Sequence, residues 1–255
     1  MNFHLNFMQF YTILQTILIF SSFFCFILFL YTQFMTLYDT DFDKYLQPNF
    51  FTDSQHEGIT DFVSQHTQSS QNELAKVLSL YYAVRDGFWY NPNQIRIREE
   101  DFRASVQVAR SEGHCIDKAN ILAACARAIG VPSRLGFANV TNHIATEKVE
   151  KSLGTNVLVF HGYTELFLNG KWVKATPAFN EKLCKKIGVQ PLDFDGENDS
   201  IFQQYSPSGD KFMEYLHDYG QFAELPFALM MSEWKRFYPH LFLPTKQHEL
   251  SLVSN

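Results

Sequence analysis

Cys115 and His161 are the two residues of this chain whose types and settings suit covalent acyl transfer. The cysteine falls in the first turn of a helix, just after Gly113-His114, and the histidine stands in a strand with polar groups beside it. A helix N-terminus presents unpaired N–H groups and a partial positive charge, which lower a thiol's pKa and supply donors for a developing oxyanion. A nucleophile gains from both. Taken singly, a helix-start cysteine is more often a small buried residue, and a strand histidine more often structural. Their occurrence with a third polar group is what counts, because nucleophile, base and orienter are the parts that acyl transfer through a covalent intermediate requires.

The elements that must position these groups are legible from pattern. From Cys115 the run CIDKANILAACARAIGVP is dense in alanine, at 119, 123, 124, 126 and 128, and ends on Gly130 and Pro132, where a helix C-terminus wants them. Small side chains allow close backbone approach, so this helix is expected against a sheet, as the central helix of the domain. An earlier helix is expected from Glu73 to Arg85, where Leu74, Val77, Leu78, Tyr81 and Tyr82 recur at helical spacing before Asp86-Gly87 stops it. The segment from Asp39 to about Asn72 is polar and reads as extended around Pro48. Strand-like composition runs from Arg134 to Val140 and from Asn156 to Phe179, with Asn169-Gly170 inside the second segment. That dipeptide signals a two-residue hairpin, since both central positions of a type I′ turn need positive φ.

Pairing Leu168 with Lys171 then fixes the register. One face carries His161, Tyr163, Glu165, Phe167, Trp172, Lys174, Thr176 and Ala178, and the other carries Phe160, Leu166, Leu168, Val173, Ala175 and Phe179. The second is expected to be the buried face and the first to hold the polar chemistry. With Ala178 opposite His161, Thr176 and, if the strand continues, Asn180 become its diagonal neighbours, about 7 to 8 Å away by Cα. Either can orient the ring; Glu165 lies further along the same strand.

The segments GHCIDKANILAACARAIGVPSRLGF and HGYTELFLNGKWVKATPAF together resemble the transglutaminase-like superfamily. Its core pattern is a Gly-x-Cys helix ending in Arg-Ala-x-Gly-x-Pro, a His-x-x-x-Glu strand and a Trp-Val-x-x-Asp-Pro strand. The similarity covers roughly residues 73 to 180, with LYYAVRD as the leading helix. It implies a papain-like α+β fold, a central helix on an antiparallel sheet, with Cys115 as nucleophile and His161 as general base acting on a peptide or protein amide. The departure is Thr176, which stands where the family usually has Asp. A threonine hydroxyl can accept the Nδ1–H bond without offsetting the imidazolium's charge, whereas a carboxylate does both. Asn serves as orienter in papain-like enzymes, so Asn180 is the second candidate after Thr176. The resemblance implies no cofactor and no metal. A catalytically quiet binding or scaffold domain of the same fold is the rival reading, with an arylamine acetyltransferase as a distant third.

Composition bounds the rest. A net charge of −6 with 21 basic residues and no basic run argues against a nucleic-acid surface. Four cysteines without a Cys-x-x-Cys pair give no disulfide framework or zinc ribbon. Cys125 reads as core packing, and Cys184 with His114 and His161 matches no metal-ligand spacing. The acidic stretch Asp193, Asp195, Glu197 and Asp199 lacks the EF-hand pattern and reads as a solvated loop. Trp89, Tyr90, Trp172 and Tyr163 are candidates for lining a cleft, and sequons at Asn139 and Asn198 matter only in a secreted protein. Two helices are expected near the end, at about 210 to 219 and 225 to 238.

Residues 1 to 38 stand apart: they contain no Lys, Arg, Asp or Glu and hold 9 of the chain's 26 phenylalanines. Residues 13 to 31 run 19 positions without a charge, enough to cross most of a roughly 30 Å hydrocarbon core as a helix. No cationic start or small-residue cleavage site marks a signal peptide, and Lys44 alone nearby cannot set an orientation. Two expectations stand: a single-pass membrane protein if Met1 is the start, and a cytoplasmic one if translation begins at Met35. The domain plan is thus an apolar segment (1–38), a transglutaminase-like core (39–180) and a C-terminal helical extension (181–255).

Overall fold

The alanine-rich run folds as α4, Cys115–Ala128, and every residue from Cys115 to Arg127 is buried. The computed structural model describes residues 42–92, 95–143, 150–151, 153–202 and 213–243. All elements below belong to the unit that begins at Tyr45; of the other, Met1–Lys44, only residues 42–44 are described. The span expected at 13–31 therefore lies outside the described residues, among which no helix is long and apolar enough to cross a membrane.

Before α4 come α1 (Glu57–His66), α2 (Glu73–Gly87), β1 (Trp89–Tyr90), α3 (Ala104–Val108) and β2 (Glu112–Gly113). After it come β3 (Ser133–Asn142), β4 (Val157–Leu168), β5 (Lys171–Ala175), α5 (Glu181–Ile187), β6 (Met213–Phe222) and α6 (Phe227–Phe237). Strands β5-β4-β3-β6 form one antiparallel sheet in that order. The fold class is α+β, as expected. Helix α4 is the wall between two cores: Ile116, Ala119 and Ala123 face one, and Leu122, Cys125 and Ala126 face the other.

Contact between α4 and β4 is close because neither side has bulk there. A Cβ added to Gly162 would sit 3.1 Å from Ile116 Cα, a contact so tight that the helix or the strand would have to give by a few tenths of an ångström. Two positions further along β4, Thr164 donates its hydroxyl to the Ala119 carbonyl at 2.8 Å.

The hairpin folds as its sequence demands. Asn169 and Gly170 have φ of 50° and 81°, and the register runs from Leu168 opposite Lys171 to Thr164 opposite Ala175. It stops there. Residues after Ala175 leave β4, so Ala178 is not opposite His161, which pairs instead with Ala138 of β3. The polar face is also not an open one: His161, Tyr163 and Glu165 are all buried. Arg134 covers part of that face, pairing with Glu165 at 2.6 Å and stacking over Trp172 at 4.1 Å.

Two other expectations are corrected. The helix expected at 210 to 219 is the strand β6, whose Tyr215, His217 and Tyr219 recur with the period of a strand, and which pairs with the outer edge of β3. The stretch before Asn72 contains α1, whose Ile59, Phe62 and Val63 pack toward the second core and whose N-terminus is capped by His56. The final helix, expected at 225 to 238, is α6.

Lys118 ties this framework together. Its side chain is fully buried in α4, and its Nζ donates to Ala178 O at 2.7 Å, Arg85 O at 2.8 Å and Phe88 O at 3.1 Å. One amine, whose pKa burial pulls down to about 7, thus holds the end of α2, the approach to β1 and the segment after β5. Lys118→Met keeps the stem and strands three buried carbonyls, so it should cost about 3 kcal/mol or more of unfolding free energy. Denaturant titration checks this, and a loss under about 1 kcal/mol would contradict the role given to the amine.

Candidate active site

The first turn of α4 is built by His114 and Asp117 acting on each other. His114 is the N-cap: its Nδ1 faces the Asp117 N–H at 3.4 Å, and the Asp117 carboxylate accepts from the His114 N–H at 3.0 Å. Asp117 also accepts from Gln107 Nε2 at 2.6 Å. This reciprocal cap fixes where the helix begins and hence where Cys115 stands.

Cys115 opens onto a small cavity lined among others by Tyr90, His114, His161, Trp234 and Tyr238. Gly162, next in sequence to His161, packs against Ile116, the residue that follows Cys115. Tyr90 lines the same cavity as Cys115. Cys115 and His161 thus share one cavity.

Burial governs the proton affinities. The Cys115 thiol is pushed up to about 11 by loss of solvent, with the Asp117 charge adding to the rise and the neighbouring N–H groups opposing it. The low thiol pKa expected of a helix start does not appear. A helix terminus contributes roughly 0.3 to 1 kcal/mol, less than one pKa unit, whereas burial moves a group by several. His161 is pulled down to about 4, first by burial and then by the nearby His114. Both partners are therefore neutral at pH 7.

Among the described residues neither ring nitrogen of His161 has a hydrogen-bond partner, so the imidazole is bonded neither to the sulfur nor to an orienting group. The Thr176 hydroxyl is likewise buried and unpartnered, while the Thr176 carbonyl accepts from Tyr81 at 3.2 Å. Asn180 does a different job: its Oδ1 accepts the Tyr90 N–H at 3.1 Å, fixing the strand that carries Tyr90. Glu165 is taken by Arg134.

Of the aromatic residues proposed for a cleft, Tyr90 lines this one. Trp89 is 43% exposed, Trp172 stacks under Arg134, and the Tyr163 ring lies over Gly136, where a Cβ would clash with it. Trp234 and Tyr238 are walls that pattern reading did not assign. Their i, i+4 spacing near the end of α6 was visible, but which element that face meets is not a local property.

The approach to His161 is irregular for a reason. Phe160 has a φ of 64°, and the β3–β4 pairing slips by one residue between Ala138 and Val140. Asn139 supports the bulge with Oδ1 accepting the Phe160 N–H at 3.0 Å, while its Nδ2 donates to Tyr219 at 2.9 Å. The first sequon asparagine is thus a buried strut.

Cys184 does not line the cavity that holds His114 and His161, and among the described residues no group of three or more His, Cys, Asp or Glu is placed to hold a metal ion.

Residues 60–177 match the model of the transglutaminase-like superfamily, a span that includes Cys115, His161 and Thr176 and stops short of Asn180, β6 and α6. No curated protein matches. Among solved structures, a chain described as "a Putative Cysteine Protease from Cytophaga hutchinsonii" is similar at 17% identity with a TM-score of 0.43. The alignment covers 54% of this chain and 42% of that one, so this chain spans well under half of that protein's length.

Because deprotonation of Cys115 is postponed to about pH 11, its thiolate is scarce at neutral pH and grows tenfold per pH unit. Its alkylation by iodoacetamide should accordingly rise about tenfold per unit from pH 7 to 10, followed by mass spectrometry of the Cys115 peptide. A rate already flat at pH 7 would mean a preformed thiolate.

Proposed function

We propose that the chain is a cysteine-dependent amide hydrolase or acyltransferase of papain-like, transglutaminase-like design, in which Cys115 is the nucleophile and His161 the general base. The observation that carries this reading is that Cys115 and His161 line one cavity, at the place where α4 and β4 pack closely at Gly162. The family match over residues 60–177 supports the same assignment.

The chemistry follows from two neutral partners. A ring nitrogen of His161 takes the thiol proton as the sulfur adds to the amide carbonyl, and the carbonyl oxygen becomes an oxyanion. The unpaired N–H groups of the first turn of α4 and the Tyr90 hydroxyl, which belongs to the cavity lining, are the donors available to that oxygen. Collapse breaks the C–N bond, the imidazolium protonates the departing amine, and a thioester remains on Cys115. Water, or a second amine, then adds to the thioester while His161 accepts its proton; the acid, or a new amide, leaves and the thiol is restored. The imidazole must first come within hydrogen-bonding range of the sulfur, a tightening common when substrate binds.

The quiet-domain reading has its own support: His161 has no orienting bond, and the buried Thr176 hydroxyl leaves the imidazolium without a countercharge. A neutral orienter can be expected to slow the reaction rather than remove it. Anchoring through residues 13–31 remains part of the proposal for where the enzyme works.

Hydrolysis of acylated aminocoumarin amides tests the assignment. Cys115→Ala and His161→Ala should each lower kcat/KM by at least about 1,000-fold with melting temperature preserved, while Cys125→Ala leaves kcat/KM within a few-fold. Turnover that survives Cys115→Ala would end the enzyme reading as stated.

A further inference from the structure

Resting on that reading, we infer that the acyl group received by Cys115 carries an uncharged, apolar side chain, seated against Trp234 and Tyr238. The wall beside the sulfur is supplied by Ile95, Leu153, Leu158, Trp234 and Tyr238, from four separate stretches of chain. None of the described residues lining the cavity is a lysine, arginine, aspartate or glutamate. The carboxylate of Asp117 sits behind the first turn, already holding Gln107 and the His114 N–H.

The polar ends of the two large aromatics are also spent. Trp234 donates its Nε1–H to Val159 O at 3.1 Å, and the Tyr238 hydroxyl donates to Val157 O and accepts the Val159 N–H, each at 2.7 Å. What they turn to the cavity is ring surface. These bonds also cap the stretch of β4 that leads to His161, where β5 has already ended at Ala175. Wall and base are therefore held by the same contacts, and movement of α6 would be felt at both. A charged acyl side chain entering here would lose its water and meet no opposite charge, whereas an aliphatic or aromatic one gains by burial.

The specificity element lies outside the span that matches the family, since residues 60–177 end before α6. The proposal therefore concerns a property of this chain.

The test uses N-acetylated aminoacyl chloromethyl ketones with leucine, phenylalanine, glutamate or lysine side chains on the full-length chain. Modification of the Cys115 peptide is followed by mass spectrometry, with iodoacetamide as the reagent that carries no side chain. Leucine and phenylalanine ketones should react at least about 100-fold faster than the glutamate and lysine ones. Trp234→Phe, which keeps an aromatic wall of smaller size, should change the leucine-to-phenylalanine rate ratio by about threefold or more. Equal or faster reaction of either charged ketone, or no reaction of the apolar pair while iodoacetamide still modifies Cys115, would overturn the apolar site. An unchanged ratio in Trp234→Phe would remove α6 from it. Iodoacetamide modifying Cys115 no faster than the fully buried Cys125 would instead strike the catalytic reading itself, and the inference with it.

Discussion

The close approach of α4 to β4 at Gly162 is the constraint on which the site depends. With no side chain there, the strand backbone packs closely on the first turn of α4, while a methyl group would press to 3.1 Å on Ile116 Cα, next to Cys115. The helix can be held at that distance because its cap is a closed pair, His114 with Asp117, and because Lys118 and Thr164 fasten its flanks. The side chain next to Gly162 is His161. A single glycine therefore sets both the place of the sulfur and the element from which the imidazole projects, and the surrounding polar network serves to keep that place fixed.

Packing this close has an electrostatic consequence. Donors gather around the sulfur, yet the thiol is harder to ionise than in water, because the loss of solvent outweighs a helix dipole and a few N–H groups. The imidazole is driven the other way by the same burial, and His114 adds to it. Such a pair rests as thiol and neutral base, so in the proposed reaction the proton moves with the attack rather than before it. Under that proposal a carboxylate at position 176 would make the imidazolium cheaper to form, and with threonine there the cost falls on the donors that receive the oxyanion. Asn180, by holding the Tyr90 N–H, positions one wall of the cavity.

How far the sequence foretold this varies with how local each determinant is. The alanine spacing and the Gly130 and Pro132 stop announced α4, and Asn169-Gly170 announced the hairpin and its register, because each is decided within a few residues. Strand β6 was missed since it is largely exposed, so no apolar face marks its alternation, and its partner β3 lies far earlier in the chain, a pairing seen only in three dimensions. The assumption of one exposed sheet face failed because Arg134, Trp172 and Tyr163 cover the second one. Reading Asn180 as an orienter assumed that β5 continues past Ala175. Its departure from β4 sends that side chain to Tyr90 instead. The sign of the Cys115 shift escaped for the same reason: burial is a sum over the whole fold, and a helix start is not.

The closing of the cavity by α6 reconciles two features that look opposed. Between Val157 and Val159, β4 has an edge that β5 does not reach, and such an edge ordinarily needs another strand to satisfy its N–H and C=O groups. Here the side chains of Trp234 and Tyr238 satisfy them, and in doing so bring two large rings over the cavity. A strand in that position would have met the backbone groups equally well but would have left little apolar surface beside the sulfur. Using a helix, the chain finishes its sheet and shapes its pocket with the same two residues. The length at which β5 ends is thus part of the cavity's making, since a β5 running on in register to Asn180 would reach Val159 and occupy the edge that α6 now holds.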